Sequence, residues 1–254
     1  MPTYNSEEYL AKSIDSILYQ TYKDLELIIC DDASTDSTLN IIKKYVIKDS
    51  RIKYVQNEQN MGAAYSRNRC IEIANGDFIC LQDSDDISVK DRIEKQVEFL
   101  EENKEFDFVG SWIQCFDGEK IWRSHELNYS PQKSDFLKGM PFAHASVLFK
   151  KEVFKKVKGY RVSKDTLRGE DLDLFMNLYS NNMKGATLQE YLYMYREDKN
   201  ALKRRTLSTR LSMVKNNIIG FKKLGLMPAG YIYAIKPVIT FFIPVTLYKK
   251  FTKN

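Results

Sequence analysis

Apolar positions in the first hundred residues switch between two spacings. Leu10, Ile14, Ile17 and Leu18 recur every three to four positions, which puts them on one face of a helix. Asn5, with Glu8 three places on, has the composition of a capping box ahead of that helix. Leu25 to Cys30 is a short, nearly unbroken apolar run, as expected of a buried strand. Asp36 to Lys48 returns to the helical spacing through Leu39, Ile42 and Val46. Arg51 to Gln56 is rich in strand formers, with Ile52 and Tyr54 alternating with Lys53 and Val55. Gly62 to Ala74 predicts a helix that Asn75-Gly76 stops. Asp77 to Leu81 predicts the next strand and Asp91 to Leu100 the next helix. This alternation predicts an α/β fold with a mostly parallel sheet flanked by helices.

The second half is less regular. Phe106 to Phe116 and Ser146 to Phe149 read as strands, and Glu170 to Tyr179 as a helix with Leu172, Phe175 and Leu178 on one side. Ser208 to Lys223 reads as a basic amphipathic helix. Val238 to Tyr248 is very apolar, too short to span a bilayer, interrupted by Pro244 and followed by Lys249-Lys250. Two roles suit it, lying at a membrane surface or packing on the preceding domain. No internal repeat, low-complexity segment or flexible linker is legible.

Length and composition narrow the picture. A chain of 254 residues suits one large domain or one and a half, and 43% hydrophobic residues supply a core. The formal net charge of +5 is uneven: the first hundred residues carry 12 Lys and Arg against 18 Asp and Glu, whereas Lys and Arg dominate from Lys199 onward. Such a tail fits membrane lipid or a phosphorylated substrate, and no nucleic-acid-binding motif accompanies it. Cys30, Cys70, Cys80 and Cys115 are far apart and form no Cys-x-x-Cys pair, so buried free thiols in a reducing cytosol are expected. The opening residues have neither the basic region nor the apolar stretch of a signal peptide.

The candidate chemistry lies where strands emerge. Gln82-Asp83-Ser84-Asp85-Asp86 crowds three carboxylates at the end of the Asp77–Leu81 run. Two readings stand: an Asp-rich turn capping the next helix, or a site for a hard divalent cation that prefers oxygen ligands and grips phosphate. Asp31-Asp32 ends another predicted strand. Ligands of open α/β sheets bind beyond the carboxyl ends of the strands, so both acid clusters fall on one rim.

Read with their neighbours, these acids resemble the family 2 glycosyltransferases, inverting sugar transferases of GT-A fold. Pro2-Thr3-Tyr4-Asn5 is similar to the family's opening loop, and Asp31-Asp32-Ala33-Ser34-Thr35-Asp36 to its D-D-x-S-x-D nucleotide motif. Asn60-Met61-Gly62 and Arg67-Asn68 match its N-x-G…R-N stretch, and Asp83-Ser84-Asp85 its D-x-D. Gly159-Tyr160 matches the end of its G-G-Y loop and Glu170-Asp171 the E-D pair opening a late helix. The resemblance covers roughly residues 1–200 in the family's order. It implies a GT-A-like domain over 1–200 and a basic, apolar helical extension over 201–254 that suits membrane contact.

The resemblance also assigns roles. Asp83 and Asp85 hold Mn²⁺ or Mg²⁺, and Asp83 meets the donor. Asp171 is the base, with Glu170 its neighbour. Asp32 accepts from a ring N–H of the nucleobase, favouring uracil, Thr3 and Asn5 line the same pocket, and Arg67 meets the phosphates. The implied reaction moves a sugar from a nucleotide-sugar donor, a UDP-sugar by preference, to a hydroxyl of a growing surface glycan in the cytoplasm; the basic, apolar tail adds two further expectations, a lipid-linked acceptor and a place at the inner face of the cytoplasmic membrane. Plainer roles stand beside these: helix capping for Asp31, Ser34 and Asp36, a surface ion pair for Arg67, and helix-dipole acids for Glu170-Asp171. His144 reads equally as structural or functional, and Trp112 and Trp122 read as packing residues. A truncated, non-catalytic accessory protein is the rival reading. A sugar-phosphate nucleotidyltransferase ranks below it, because no Gly-rich phosphate loop opens the chain.

Two positions depart from the family pattern. An apolar strand of some six residues precedes the opening loop in the family and lies inside the sheet, whereas Met1 stands directly at that loop. The first strand is therefore expected to be missing, Met1 to be an internal codon preceded by a Val- and Ile-rich run, and the 254-residue chain to be poorly soluble or inactive. Lys158 replaces the first Gly of G-G-Y and is expected to stiffen that loop.

Overall fold

A computed structural model describes residues 1–166, 169–197 and 206–242. The chain forms two compact units, one made of residues 1–131, 141–160 and 183–197, the other of 132–140, 161–182 and the residues from 198 on. The expected boundary after residue 200 and the apolar residues 243–248 lie outside the described residues.

In the first unit, β1 (Pro2–Thr3), β2 (Leu27–Asp31) and β3 (Ile52–Gln56) form a parallel sheet in that order. All five residues of β2 are buried; the strand pairs along its whole length with β3 and, at Cys30 and Asp31, with β1. Helices α1 (Leu10–Leu18) and α2 (Thr38–Lys48) bury Leu10, Ile14, Ile17 and Ile42 in one core with Leu27, Ile29 and Ile52. Helix α3 (Ala63–Ile73) puts Cys70 against Ile28 and Cys30. Helix α4 (Arg92–Glu102) adds Ile93, Val97 and Leu100 to the main core at helical spacing.

A second sheet has the order β4 (Phe78–Cys80), β8 (Leu148–Lys150), β6 (Phe108–Phe116), β9 (Gly185–Arg196), β5 (Ile87–Ser88), with β7 (Ile121–His125) also on β6. The α/β class holds, but the pairing is mixed. β6 and β9 are parallel, whereas β4 with β8, β8 with β6, β6 with β7 and β5 with β9 are antiparallel. Parallel neighbours need long crossovers, and β6 returns as β7 through a short turn at Gly118. β5, β7, β9 and α5 (Glu152–Val157) were not legible from the pattern. The capping box expected at Asn5 and Glu8 does not form: α1 starts at Leu10, and the Ser6 carbonyl receives the Leu10 N–H at 2.9 Å.

The first strand is short rather than absent. Pro2 and Thr3 pair with Cys30 and Asp31, and the Met1 carbonyl accepts the Cys30 N–H at 2.9 Å. The Met1 amino group donates to the Ile28 carbonyl at 2.8 Å. Beyond Met1, among the described residues, no strand joins β2 to β4. A cavity of about 520 Å³ lies there, lined by Leu27, Ile28, Phe78, Ile79 and Leu148 among others.

The second unit contains α6 (Glu170–Ser180), α7 (Leu207–Lys223), α8 (Gly230–Ala234) and α9 (Lys236–Phe241). α7 comes close to α6 at Gly220, where any Cβ would collide with the Met176 side chain. Asp173 on α6 receives a forked contact from Arg161, whose shortest arm is 2.7 Å, and Arg161 also donates to Asn216 on α7 at 2.8 Å. No helix among the described residues is long and apolar enough to cross a membrane.

Candidate active site

The Asp31-Asp32 loop leaves β2 at its carboxyl end. Asp32 is buried, and its carboxylate serves the chain itself. Oδ1 accepts from the Asn57 amide (2.6 Å) and the Met61 N–H (2.8 Å), and Oδ2 from the Gly62 N–H (2.8 Å). Of about four acceptor positions on a carboxylate, three are engaged within the chain, so Asp32 fixes the Asn60-Met61-Gly62 loop. Asp31 receives the Ser34 N–H on Oδ1 at 3.4 Å, while its Oδ2 and the Oγ1 of Thr3, its register partner on β1, are buried without a hydrogen-bond partner.

Asn5 is exposed and adopts a φ of 48°. Its N–H donates to Ser34 Oγ at 3.0 Å, and its side-chain oxygen accepts the Thr35 N–H at 2.8 Å. Asp36 accepts from the Thr38 N–H (2.9 Å), where α2 begins, and from the Glu7 N–H (3.2 Å). Thus Asn5, Ser34 and Asp36 tie the 4–9 loop to the 33–38 loop.

The same 4–9 segment reaches the second acid cluster. Ser6 Oγ and Ser84 Oγ are 2.9 Å apart, and Ser13 Oγ on α1 donates to the Asp83 carbonyl at 2.8 Å. Arg67, on α3, donates to Asp83 Oδ1 at 2.8 Å. Burial alone would raise the Asp83 carboxyl, but the Arg67 guanidinium outweighs it and holds the group below the usual carboxylate range. Asp86 behaves oppositely. It is fully buried, Oδ1 accepts the Arg196 N–H at 2.6 Å, and Oδ2 has no partner. Burial, then the charges of Asp83 and Asp85, push its carboxyl well above the usual range.

Strand β9 completes this cluster, and the sequence reading missed it. The Tyr193 hydroxyl accepts the Asp83 N–H at 3.2 Å. Arg196 donates from Nε to the Asp85 carbonyl at 3.0 Å, and its guanidinium lies 4.0 Å from the Tyr9 ring centre and 4.5 Å from that of Phe116. The alternation of Tyr191, Tyr193 and Tyr195 was the available signal for this strand.

Arg67 is also supported from below. The Tyr160 ring lies 5.7 Å from its guanidinium, and the Tyr160 hydroxyl and His144 Nε2 are 2.8 Å apart. Asn68 grips the backbone of Tyr160: Oδ1 accepts its N–H and Nδ2 donates to its carbonyl, both at 2.8 Å. Burial, then the Arg67 charge, lowers the His144 imidazole to about 3, so it is neutral at physiological pH. The R-N and G-Y motifs therefore form one device. Lys158 occupies the left-handed region at a φ of 59°, where glycine is ordinarily favoured.

In the second unit, Glu170, Asp171 and Asp173 are the first-turn acids of α6. Asp173 is committed to Arg161, whereas Glu170 and Asp171 are half-buried, and Asp171 accepts the Leu172 N–H at 2.7 Å. Trp112 donates to the Leu127 carbonyl at 2.9 Å and lies against Tyr191, in keeping with a packing role. The four cysteines are free thiols.

Among the described residues, no three His, Cys, Asp or Glu side chains converge into a cage for a cation. The donor set nevertheless fits a hard divalent ion that completes its shell on phosphate. Asp83 is held ionised beside Arg67, and Asp85 lies two residues on in the same loop, so two carboxylates are available as hard oxygen donors.

Known proteins place this geometry. The family profile described as glycosyl transferase family 2 matches residues 1–158. EpsE of Bacillus subtilis (strain 168), a glycosyltransferase by name, is 40% identical over 255 residues, covering 100% of this chain and 92% of its own. WfaP of Escherichia coli, a UDP-Glc:alpha-D-GlcNAc-diphosphoundecaprenol beta-1,3-glucosyltransferase, is 32% identical, covering 93% of this chain and 91% of its own. The solved structure of S. aureus TarS 1-349 with UDP-GlcNAc superposes with a TM-score of 0.73 at 20% identity, covering 96% of this chain and 75% of that one, a likeness of fold. The profile spans more than half of the chain and full-length relatives exceed 30% identity, so the chain belongs to glycosyl transferase family 2 and is a glycosyltransferase.

Proposed function

We propose that the protein transfers a sugar, with inversion, from a UDP-sugar to a hydroxyl of a growing, lipid-linked surface glycan at the inner face of the cytoplasmic membrane. One observation carries this reading. The loop bearing Asp31 and Asp32 and the loop bearing Asp83, Asp85 and Asp86 are both fastened to the 4–9 segment, through Asn5 and Ser34 on one side and Ser6 and Ser84 on the other. Base recognition and diphosphate handling then share one rim. WfaP, named for a UDP-glucose donor and a diphosphoundecaprenol-linked acceptor, supports the donor and acceptor classes. TarS, solved with UDP-GlcNAc, supports the donor.

The mechanism is a direct displacement. Asp171 takes the proton of the acceptor hydroxyl, whose oxygen bonds to the anomeric carbon as the bond to the diphosphate oxygen breaks. UDP leaves with the electron pair. Glu170, beside Asp171, shapes the acceptor side. Asp83 and Asp85 would hold a divalent cation, which when bound would supply Lewis-acid stabilisation for the departing diphosphate. Arg67 holds Asp83 ionised and adds a cationic donor near the phosphates. Asp32 fixes the Met61-Gly62 backbone that borders the base, where Thr3 and Asn5 complete the pocket. Burial and the neighbouring carboxylates push the Asp86 carboxyl upward, which disfavours a third negative charge in the cluster.

A panel of nucleotide sugars, assayed for hydrolysis and transfer with and without Mn²⁺, tests the reading. Mn²⁺-dependent turnover of a UDP-sugar is expected, and Asp85→Asn should abolish most of it while leaving the unfolding temperature unchanged. Full turnover in that variant removes the metal assignment, and no turnover with any donor favours the accessory-protein reading.

A further inference from the structure

Helices α8 and α9 carry an inverted pattern. The residues facing inward are small or compact: Gly230, Ala234 and Pro237 are buried. Gly230 sits so close to Phe221 of α7 that a Cβ would lie 3.0 Å from that side chain. The large apolar residues face outward. Ile232 is 74% exposed, Ile235 47%, Ile239 54% and Phe242 71%. Their spacing of three, four and three residues is that of a single stripe along a helix. Backbone bonds from Val238 and Ile239 to the Ile235 carbonyl, 3.0 and 3.2 Å long, carry the helical path through the junction, so the stripe is continuous. Tyr231 and Tyr233 are also exposed beside it. A row of Ile and Phe turned to water over a row of Gly and Ala turned inward is the reverse of an ordinary surface helix, and calls for a partner.

Charge selects the partner. No Asp or Glu follows Asp198, while Lys and Arg recur through Lys253. Lys222, Lys223 and Lys236 are exposed, the first two ahead of the stripe in sequence and the third within it. A second copy would bring a like-charged surface against this one, whereas an anionic bilayer offers both an apolar interior for Ile and Phe and negative headgroups for Lys. No helix among the described residues is long and apolar enough to cross a bilayer.

We propose that the α8–α9 face, through Ile232, Ile235, Ile239 and Phe242, inserts into the headgroup layer of an anionic membrane, with Lys222, Lys223 and Lys236 on the lipid phosphates. It rests on the transferase reading only for its cellular setting, and the test uses no sugar substrate. The full chain is sedimented with vesicles of phosphatidylcholine alone and of phosphatidylcholine with one-quarter phosphatidylglycerol. Binding to the anionic vesicles that weakens with added salt is expected. The triple variant Ile235→Ser, Ile239→Ser, Phe242→Ser should weaken it by about tenfold or more, and Lys222→Gln, Lys223→Gln, Lys236→Gln should remove its preference for anionic lipid. Circular dichroism and UDP binding matching wild type establish that the variants are folded. Absence of vesicle binding in the wild type overturns the proposal. So do unchanged binding in the triple variant and a concentration-dependent dimer that the triple variant abolishes.

Discussion

Gly159→Ala tests the device beneath Arg67, because one methyl group strikes it in two ways. Gly159 has a φ of +75°, where a side chain costs about 1–2 kcal/mol. The added Cβ would also lie 2.5 Å from Asn68 Oδ1. Asn68 must then withdraw from the two 2.8 Å bonds that hold Tyr160, each with a net value of about 1 kcal/mol. Against these stands the smaller backbone entropy of unfolded alanine, about 0.4–1 kcal/mol. The balance is a loss of about 2–3 kcal/mol, which lowers the unfolding temperature by roughly 5–10 °C for a chain of this size. UDP binding should weaken as well, since Tyr160 supports both His144 and Arg67. In an Asn68→Ala background the clash has no target, and the cost of Gly159→Ala should shrink to the backbone strain alone. Lys158→Gly, at a φ of 59° next door, relieves strain but adds unfolded-state entropy, so its net effect should stay within about 0.5 kcal/mol. Thermal unfolding of the four variants measures all of this. A Gly159→Ala protein melting within about 2 °C of wild type would refute the argument.

Three further outcomes are expected. Asp171→Asn should lower transfer by about a hundredfold or more while UDP affinity, read by calorimetry, hardly changes; a parallel collapse of UDP binding would make Asp171 a donor-site residue. His144, near 3 when folded and about 6.5 when unfolded, means that the unfolded chain binds more protons between those values. The stability it contributes is full above pH 6.5 and is lost as pH falls towards 3, on the order of 5 kcal/mol in all. The stability gap between wild type and His144→Gln should therefore narrow on acidification, and a constant gap in urea titrations across that range would contradict the neutral imidazole. Finally, a run of about six Val and Ile residues fused ahead of Met1 should enter the cavity between β2 and β4. At about 1.5–3 kcal/mol per buried side chain, less about 1–2 kcal/mol per ordered residue, it should raise the unfolding temperature by several degrees over a Ser/Gly fusion of equal length. Equal melting of the two fusions would show that the cavity does not accept a strand.

The sequence alone determined what depends on local periodicity and on residues that act through their neighbours in the chain. β2 was legible because a strand buried on both faces is apolar throughout, and α1 and α4 because one buried apolar stripe repeats at helical spacing. The acid clusters were legible because carboxylates are costly to crowd. Tertiary structure decided what depends on pairing across long separations. β9 was hidden because Gly185–Arg196 mixes polar residues into its alternation, yet it carries Tyr193 and Arg196 to a loop more than a hundred residues earlier. The sheet is mixed because β8 and β5 find their partners by contact, which no local pattern records. Asp86 resembles Asp83 and Asp85 in sequence, and only the tertiary surroundings push its carboxyl up while Arg67 holds that of Asp83 down. The Asn5–Glu8 box failed for the same reason. Asn5 found a better partner in Thr35, thirty residues away, because the fold brought that N–H within reach.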